Sequence, residues 1–211
     1  MIIDLREIPV VWINLDSATK NAEDMQERLT KHGFKYTYRK SACVIDPPVG
    51  TPKEIAHYKG CGQSHIDILD DFVYPTPLLI LEDDAEFTEH FNPIIEIPDD
   101  TDGVYLGVSH GNVYYKTAQL NSEYLKIGGI LATHAILYIS QKYRQIMSSA
   151  AKQFINQFNR PWDLGSASLQ GHMNVYTPNN PFFYQANARE SANKWEQITK
   201  HSLENRNSIF P

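Results

Sequence analysis

Four apolar residues, Leu78-Leu79-Ile80-Leu81, run directly into three carboxylates, Glu82-Asp83-Asp84. A short, unbroken apolar run of this kind reads as a strand buried on both faces, which is the signature of an α/β sheet. The carboxylates then fall at the C-terminal end of that strand, where open α/β sheets bind their ligands. Adjacent carboxylates repel one another, so the triplet calls for a positive partner. A hard divalent cation bridging the phosphates of a nucleotide meets that need, because Mg²⁺-like ions combine one or two carboxylates with phosphate oxygens. The plain alternative is a solvated acidic turn after a core strand.

The surrounding pattern extends the α/β reading. Ile8 to Leu15 is apolar and β-rich and predicts a first, central strand. Ser17 or Thr19 is expected to cap a following helix, with Met25, Leu29 and His32 on one face and Gly33 ending it. Phe34 to Ala42 alternates and predicts a second strand. Ile55 to Phe72 reads as a helix interrupted by Gly60 and Gly62. Gly103 to Val108 and Ile130 to Ile139 read as strands, Gln141 to Phe158 and Trp162 to His172 as helices. The remainder reads as irregular, and about 186–211 as a wrapping or flexible tail. No second domain boundary is visible, so 1–211 is expected to be a single domain.

Composition narrows the class. The chain has 211 residues, 42% hydrophobic and 21% charged, as in an ordinary globular protein. No apolar run approaches the roughly 18 residues of a membrane span. Charged residues at the N-terminus predict no signal peptide, and cytoplasmic residence is the default expectation. The net charge of −6 argues against broad, non-specific nucleic-acid binding. The two cysteines, Cys43 and Cys61, are expected to be reduced, and they are too few for an all-cysteine zinc site.

Several polar residues stand out beyond the acidic triplet. Gly60-Cys61-Gly62 lacks the third glycine of a dinucleotide fingerprint and does not follow a strand. Ser64 and His65 form a polar pair inside an apparently buried helix. His65 either satisfies a backbone carbonyl or lies near the phosphates or metal. Asp163, after Pro161-Trp162, is either a helix N-cap or a general base set apart in sequence from the metal residues. Glu190 and Asp102 are the next candidates for that base. His134 or His172 could supply a third metal ligand, or either could be an ordinary histidine.

Taken in order, these segments resemble a known family. Ile13-Asn14-Leu15-Asp16, Gly60-Cys61 with Ser64-His65, Leu81 to Ala85, Tyr105-Leu106-Gly107, Thr133 to Ser140, Pro161-Trp162-Asp163 and Val175-Tyr176 resemble the glycosyltransferases that include bacterial lipooligosaccharide galactosyltransferases and collagen hydroxylysine galactosyltransferases. The resemblance runs from about residue 10 to about residue 185. It implies a GT-A fold, a Rossmann-like, mostly parallel sheet with flanking helices. It implies a nucleotide-sugar donor, with UDP as the nucleotide, and a Mn²⁺ or Mg²⁺ ion held by Glu82 and Asp84. Asn14, Leu15, Ser64, His65 and Asp83 are then expected to bind the donor, and Asp163 to be catalytic. Transfer of a hexosyl or pentosyl group to an acceptor hydroxyl is expected to invert. The acceptor is a glycan or lipooligosaccharide, or a hydroxymethylated base in DNA. Lys35, Arg39 and Lys40 on one face with Lys53 and Lys59 would favour DNA; a groove rimmed by Trp162, Tyr176 and Phe183 would favour sugar stacking. Ser17 and Asn21 stand where related sequences carry arginines, which leaves open a non-catalytic module that binds a ligand or partner with the same fold.

Overall fold

The computed structural model describes residues 1–46, 49, 52–71, 73–108, 116–119, 123–131 and 133–186. Its twelve strands are β1 (Ile2–Asp4), β2 (Pro9–Asn14), β3 (Tyr36–Ser41), β4 (Leu78–Glu82), β5 (Ala85–Phe87), β6 (Ile94–Glu96), β7 (Gly103–Tyr105), β8 (Lys116–Gln119), β9 (Tyr124–Gly128), β10 (Ala135–Tyr138), β11 (Val175–Pro178) and β12 (Phe183–Gln185). Its α-helices are α1 (Thr19–Lys31), α2 (Lys53–Asp70), α3 (Gln141–Asn156) and α4 (Trp162–Gln170). The main sheet has the order β3-β2-β4-β10-β7-β11-β9-β8. By their pairings β3, β2, β4, β7, β11 and β8 point one way, and β10 and β9 the other. This is the mostly parallel, helix-flanked sheet expected from the sequence.

The sheet divides its side chains by strict alternation, because successive strand residues face opposite sides. Val10, Trp12, Leu79, Leu81 and Leu137 join Met25 and Leu29 of α1 in one core. Val11, Ile13, Leu78, Ile80, Ile136 and Tyr138 join Ile66 and Leu69 of α2, Tyr143 and Met147 of α3, and Trp162 of α4 in the other. Both cores draw on the same apolar runs, which is why Leu78 to Leu81 carries no polar residue. Helix α1 ends as expected at Gly33, whose φ of +81° suits a residue without Cβ. Its start differs from expectation: Ala18 occupies the N-cap position and no side chain caps it.

The glycines of α2 do not break it, because each solves a packing problem. A Cβ on Gly60 would lie 2.5 Å from the carbonyl oxygen of Cys43, so the segment after β3 can lie against the helix only there. A Cβ on Gly62 would meet Ile155 of α3 at 2.3 Å and Trp162 of α4 at 3.0 Å. The far end of α2 is closed by Arg144 from α3, which is fully buried. Its guanidinium donates to the carbonyls of Leu69 (2.7 Å) and Ile68 (2.6 Å), and also to those of Asp71 and Tyr74. Helix ends leave carbonyls short of intrahelical partners, and this one side chain bonds two in the last turn of α2 and two in the segment that follows it.

Seven short strands were not foreseen in the sequence: β1, β5, β6, β8, β9, β11 and β12. Strand β12 pairs with β5 in the register Gln185↔Ala85 and Phe183↔Phe87, and this brings Gln185 beside the acidic turn. Residues 187–211, including Glu190 and most of the expected tail, lie outside the described residues.

The Arg144 arrangement predicts a large loss on truncation. Arg144→Met should destabilise the fold by about 1–3 kcal/mol for each carbonyl left buried and unpaired, read as a drop in urea midpoint. A change below about 0.5 kcal/mol, the range of ordinary surface substitutions, would mean that water replaces the guanidinium without cost.

Candidate functional site

The acidic turn between β4 and β5 sits at the sheet end where β2 and β3 also terminate, as their parallel register requires. A cleft of about 670 Å³ opens there. Its lining includes apolar Leu15, Val44 and Ile45, and the carboxylates of Glu82, Asp83 and Asp84. Asn14, Ser64 and Gln185 also line it. Helix α2 contributes Lys53, His57, Gly60, Cys61 and Ser64, a spacing that keeps one helical stripe against the cleft. Lys53 and His57 line the cleft but were not singled out as a pair in the sequence; their i, i+4 spacing with Cys61 was the available signal.

Each carboxylate of the triplet meets a different surrounding. Glu82 Oε1 accepts hydrogen bonds from Thr133 Oγ1 (2.7 Å) and His65 Nε2 (3.1 Å). A carboxylate only accepts, so Nε2 carries the proton. Burial opposes ionisation of Glu82, but the bonds from His65 and Thr133 outweigh it and hold the carboxyl below its usual range. Asp83 Oδ2 accepts from the side-chain amides of Asn14 (2.7 Å) and Asn21 (3.1 Å). Asn21, standing where arginines were expected, thus ties the start of α1 to the acidic turn. Arg28 of α1 holds the same turn by donating to the Ala85 carbonyl at 2.8 Å.

Asp84 has the least support. Gln185 hydrogen-bonds its carboxylate, yet Oδ1 is buried and has no partner among the described residues. Burial, then repulsion from Glu82 and Asp83, push its pKa up to about 7. A buried carboxylate oxygen without a donor, beside two further carboxylates, fits a hard cation that takes oxygen ligands. Asp84 and Glu82 are the residues whose chemistry suits it.

The remaining candidates separate clearly. Ser64 lines the cleft, but its hydroxyl is committed: it accepts from Cys43 N and donates to Gly60 O, both at 2.8 Å. His65 is fully buried behind Cys61 and touches Glu82 rather than the cleft. Its ring packs on Trp162 with centroids 4.4 Å apart. Asp163 is not the N-cap of α4; Pro161 is. Asp163 lies in the first turn, where its Oδ1 accepts from Leu164 N at 2.9 Å. Burial raises its pKa, the Leu164 bond lowers it, and the charge of Glu82 raises it again, which puts Asp163 within electrostatic reach of the acidic cluster.

Other expectations are corrected. Asp102 is at the opposite end of the sheet: Gly103 pairs with Tyr138, and Tyr138 with Leu78, whereas Glu82 follows Leu81. Asp102 there accepts from Ser140 Oγ (2.8 Å) and Asn174 N (3.0 Å). His172 is exposed beyond the C-terminal end of α4. Asp163 begins that helix, and at 1.5 Å rise per residue the two are roughly 13 Å apart. His134 is buried, its Nε2 set against Gly107, where a Cβ would come within 2.2 Å. Trp162, Tyr176 and Phe183 are core residues and rim no groove.

No family model and no curated protein matches the sequence. Among solved structures, a glycosyltransferase involved in the glycosylation of the major capsid of PBCV-1 is similar at a TM-score of 0.44 and 12% identity, over 90% of this chain and 97% of that one. A likeness this loose assigns no function, so the functional reading rests on the site.

The environment of Asp84 predicts a pH signature. A carboxyl with a raised folded-state pKa binds its proton more tightly when folded, so its contribution to stability is full below the unfolded value and is lost as pH rises toward the folded one. With EDTA present, wild type should lose melting temperature relative to Asp84→Asn from about pH 4 to about 7. Above that the two curves should run parallel. Parallel curves throughout would show that Asp84 titrates as an ordinary carboxyl.

Proposed function

We propose that the chain is a metal-dependent glycosyltransferase that takes a sugar from a UDP-sugar and passes it, with inversion, to the hydroxyl of a glycan acceptor. The observation that carries this reading is the partnerless Oδ1 of Asp84 beside Glu82 and Asp83, at the rim of a cleft with an apolar stretch of wall. An apolar wall suits a nucleobase, and clustered carboxylates suit the cation that accompanies a diphosphate. A Mn²⁺ or Mg²⁺ ion on Asp84 and Glu82 would offset the charge that develops on the leaving nucleotide.

The chain's own residues supply the rest. Asn14 and Leu15 offer a floor for the nucleoside, and Asp83 keeps that floor in register with the turn through its bonds to Asn14 and Asn21. Lys53 stands in for the missing arginines as a cation lining the cleft. Asp163 is the proposed base: its desolvated carboxylate has enhanced basicity and would take the acceptor proton.

A glycan is the preferred acceptor because three of the basic residues that would favour DNA are paired with carboxylates. Lys35 pairs with Glu7 at 2.5 Å, Arg39 with Asp16 at 2.6 Å and Lys40 with Asp67 at 3.9 Å. Arg39 and Lys40 are also consecutive strand residues and so face opposite sides of β3.

Three measurements test the proposal. UDP with Mn²⁺ should raise the melting temperature of wild type, by about 2.7 kcal/mol of stability at a ligand concentration 100 times Kd, and should leave Asp84→Asn unmoved. Lys53→Gln should weaken UDP by about 1.5–3 kcal/mol, as for a hydrogen bond to a charged group. With a panel of UDP-sugars, Asp163→Asn should lower kcat by about two to four orders of magnitude while UDP binding holds. Stabilisation by UDP without turnover of any donor would instead favour a non-catalytic binding module.

A further inference from the structure

Behind the cleft, Cys61 Sγ, His65 Nε2 and Glu82 Oε1 all lie within 4.8 Å of one another. Cys61 and His65 are four residues apart on α2 and share one helical face, and Glu82 comes to them from the end of β4. The separations are 3.1 Å from His65 Nε2 to Glu82 Oε1 and 4.0 Å from Cys61 Sγ to the same oxygen. Around a tetrahedral zinc ion, the usual bond lengths place a nitrogen and an oxygen ligand roughly 3.3 Å apart and a sulfur and an oxygen ligand roughly 3.6 Å apart. Both separations to Glu82 therefore stand close to coordinating distance before any ion enters, and the sulfur and the nitrogen lie within 4.8 Å of each other.

We propose that Cys61, His65 and Glu82 form a second metal site, selective for a borderline transition ion such as Zn²⁺, and distinct from the oxygen-donor position at Asp84. The donor types divide the two sites. Thiolate and imidazole suit zinc and its neighbours, whereas carboxylate and phosphate oxygens suit magnesium and manganese. The supporting contacts match what a thiolate–imidazole site needs. The Trp162 side chain hydrogen-bonds the Cys61 sulfur and its ring packs on His65 at 4.4 Å. Thr133 donates to Glu82 Oε1 at 2.7 Å and fixes that carboxylate. His65 Nδ1 is buried without a partner among the described residues, so it is open to take the proton that Nε2 gives up when the ring ligates. Cys61 and Glu82 both line the cleft, which gives an ion its entry path, and a water from the cleft completes four-coordination. Binding releases the Cys61 thiol proton to solvent and shifts the His65 proton from Nε2 to Nδ1, so the ring stays neutral and no oxidation state changes. Glu82 joins the two sites through its carboxylate. The zinc site does not depend on the transferase reading.

Cobalt(II) gives the test, because a thiolate ligand adds an intense charge-transfer band that oxygen and nitrogen ligands do not. The chain has two cysteines, and Cys43 serves as the control. Wild type and Cys43→Ser should each take up one equivalent of Co²⁺ with the thiolate band, and one equivalent of Zn²⁺ should displace it. Cys61→Ser should lose the band while keeping its melting-temperature rise with UDP and Mn²⁺. Absence of the band in Cys43→Ser, or its survival in Cys61→Ser, overturns the proposal. If Cys61→Ser does not fold, Cys43→Ser decides alone, since its one thiol is Cys61. Failure of UDP and Mn²⁺ to stabilise any variant would count against the transferase and leave the cobalt result standing.

Discussion

Three consecutive carboxylates at the closed end of a buried strand repel one another in a medium that screens poorly, and the surrounding chain is arranged around that repulsion. Glu82 is relieved by donors from two other elements, His65 on α2 and Thr133 ahead of β10. Asp83 is relieved by two amides from the β2–α1 region. The turn's backbone is held by Arg28 from α1. Only Asp84 is left short, with an oxygen that nothing in the described chain reaches. The unequal relief is what gives the site a direction: two carboxylates are anchored, and the third presents an unmet charge to the cleft.

Helix α2 does several jobs at once, and its composition follows from that. One stripe, with Lys53, His57 and Cys61, faces the cleft; His65 faces Glu82; Gly62 lets α3 and α4 approach. A helix with so many neighbours can present little bulk. Its two glycines therefore mark contact points rather than weakness, and the cost they carry in helix propensity, about 1 kcal/mol each, is offset by packing that no side chain would permit. The buried guanidinium of Arg144 then fixes where the helix stops.

The legible parts of the fold were those encoded in local periodicity. The unbroken apolar run of β4, the stop at Gly33 and the long patterns of α2 and α3 can be read without knowing any partner. Strands β1, β5, β6, β8, β9, β11 and β12 could not, because short segments with mixed composition become strands only when a neighbour offers its edge. The site divides in the same way. The acidic triplet announced itself as a charge conflict. Asp102 and His172 were plausible by type, but their distance from the triplet is set by sheet register and helix length. Trp162, Tyr176 and Phe183 looked available for stacking until packing placed them in the cores. Cys61 was read only as a reduced cysteine within a short motif, and Arg144 was overlooked because an arginine in a helix ordinarily reads as surface.

Strand β10 runs against its neighbours β4 and β7. The chain therefore enters β10 at the very end of the sheet where β4 delivers its carboxylates, and Thr133 and His134 arrive there from the opposite chain direction. That entry is a permissive point in the architecture. Residues added after Leu131, beyond the point where Gln170 of α4 holds the Ile130 backbone, would leave the hydrogen-bonded ladder of β4, β10 and β7 in register. A chain with this topology can thus change what it embraces above the site by lengthening one crossing, without renegotiating the floor beneath it.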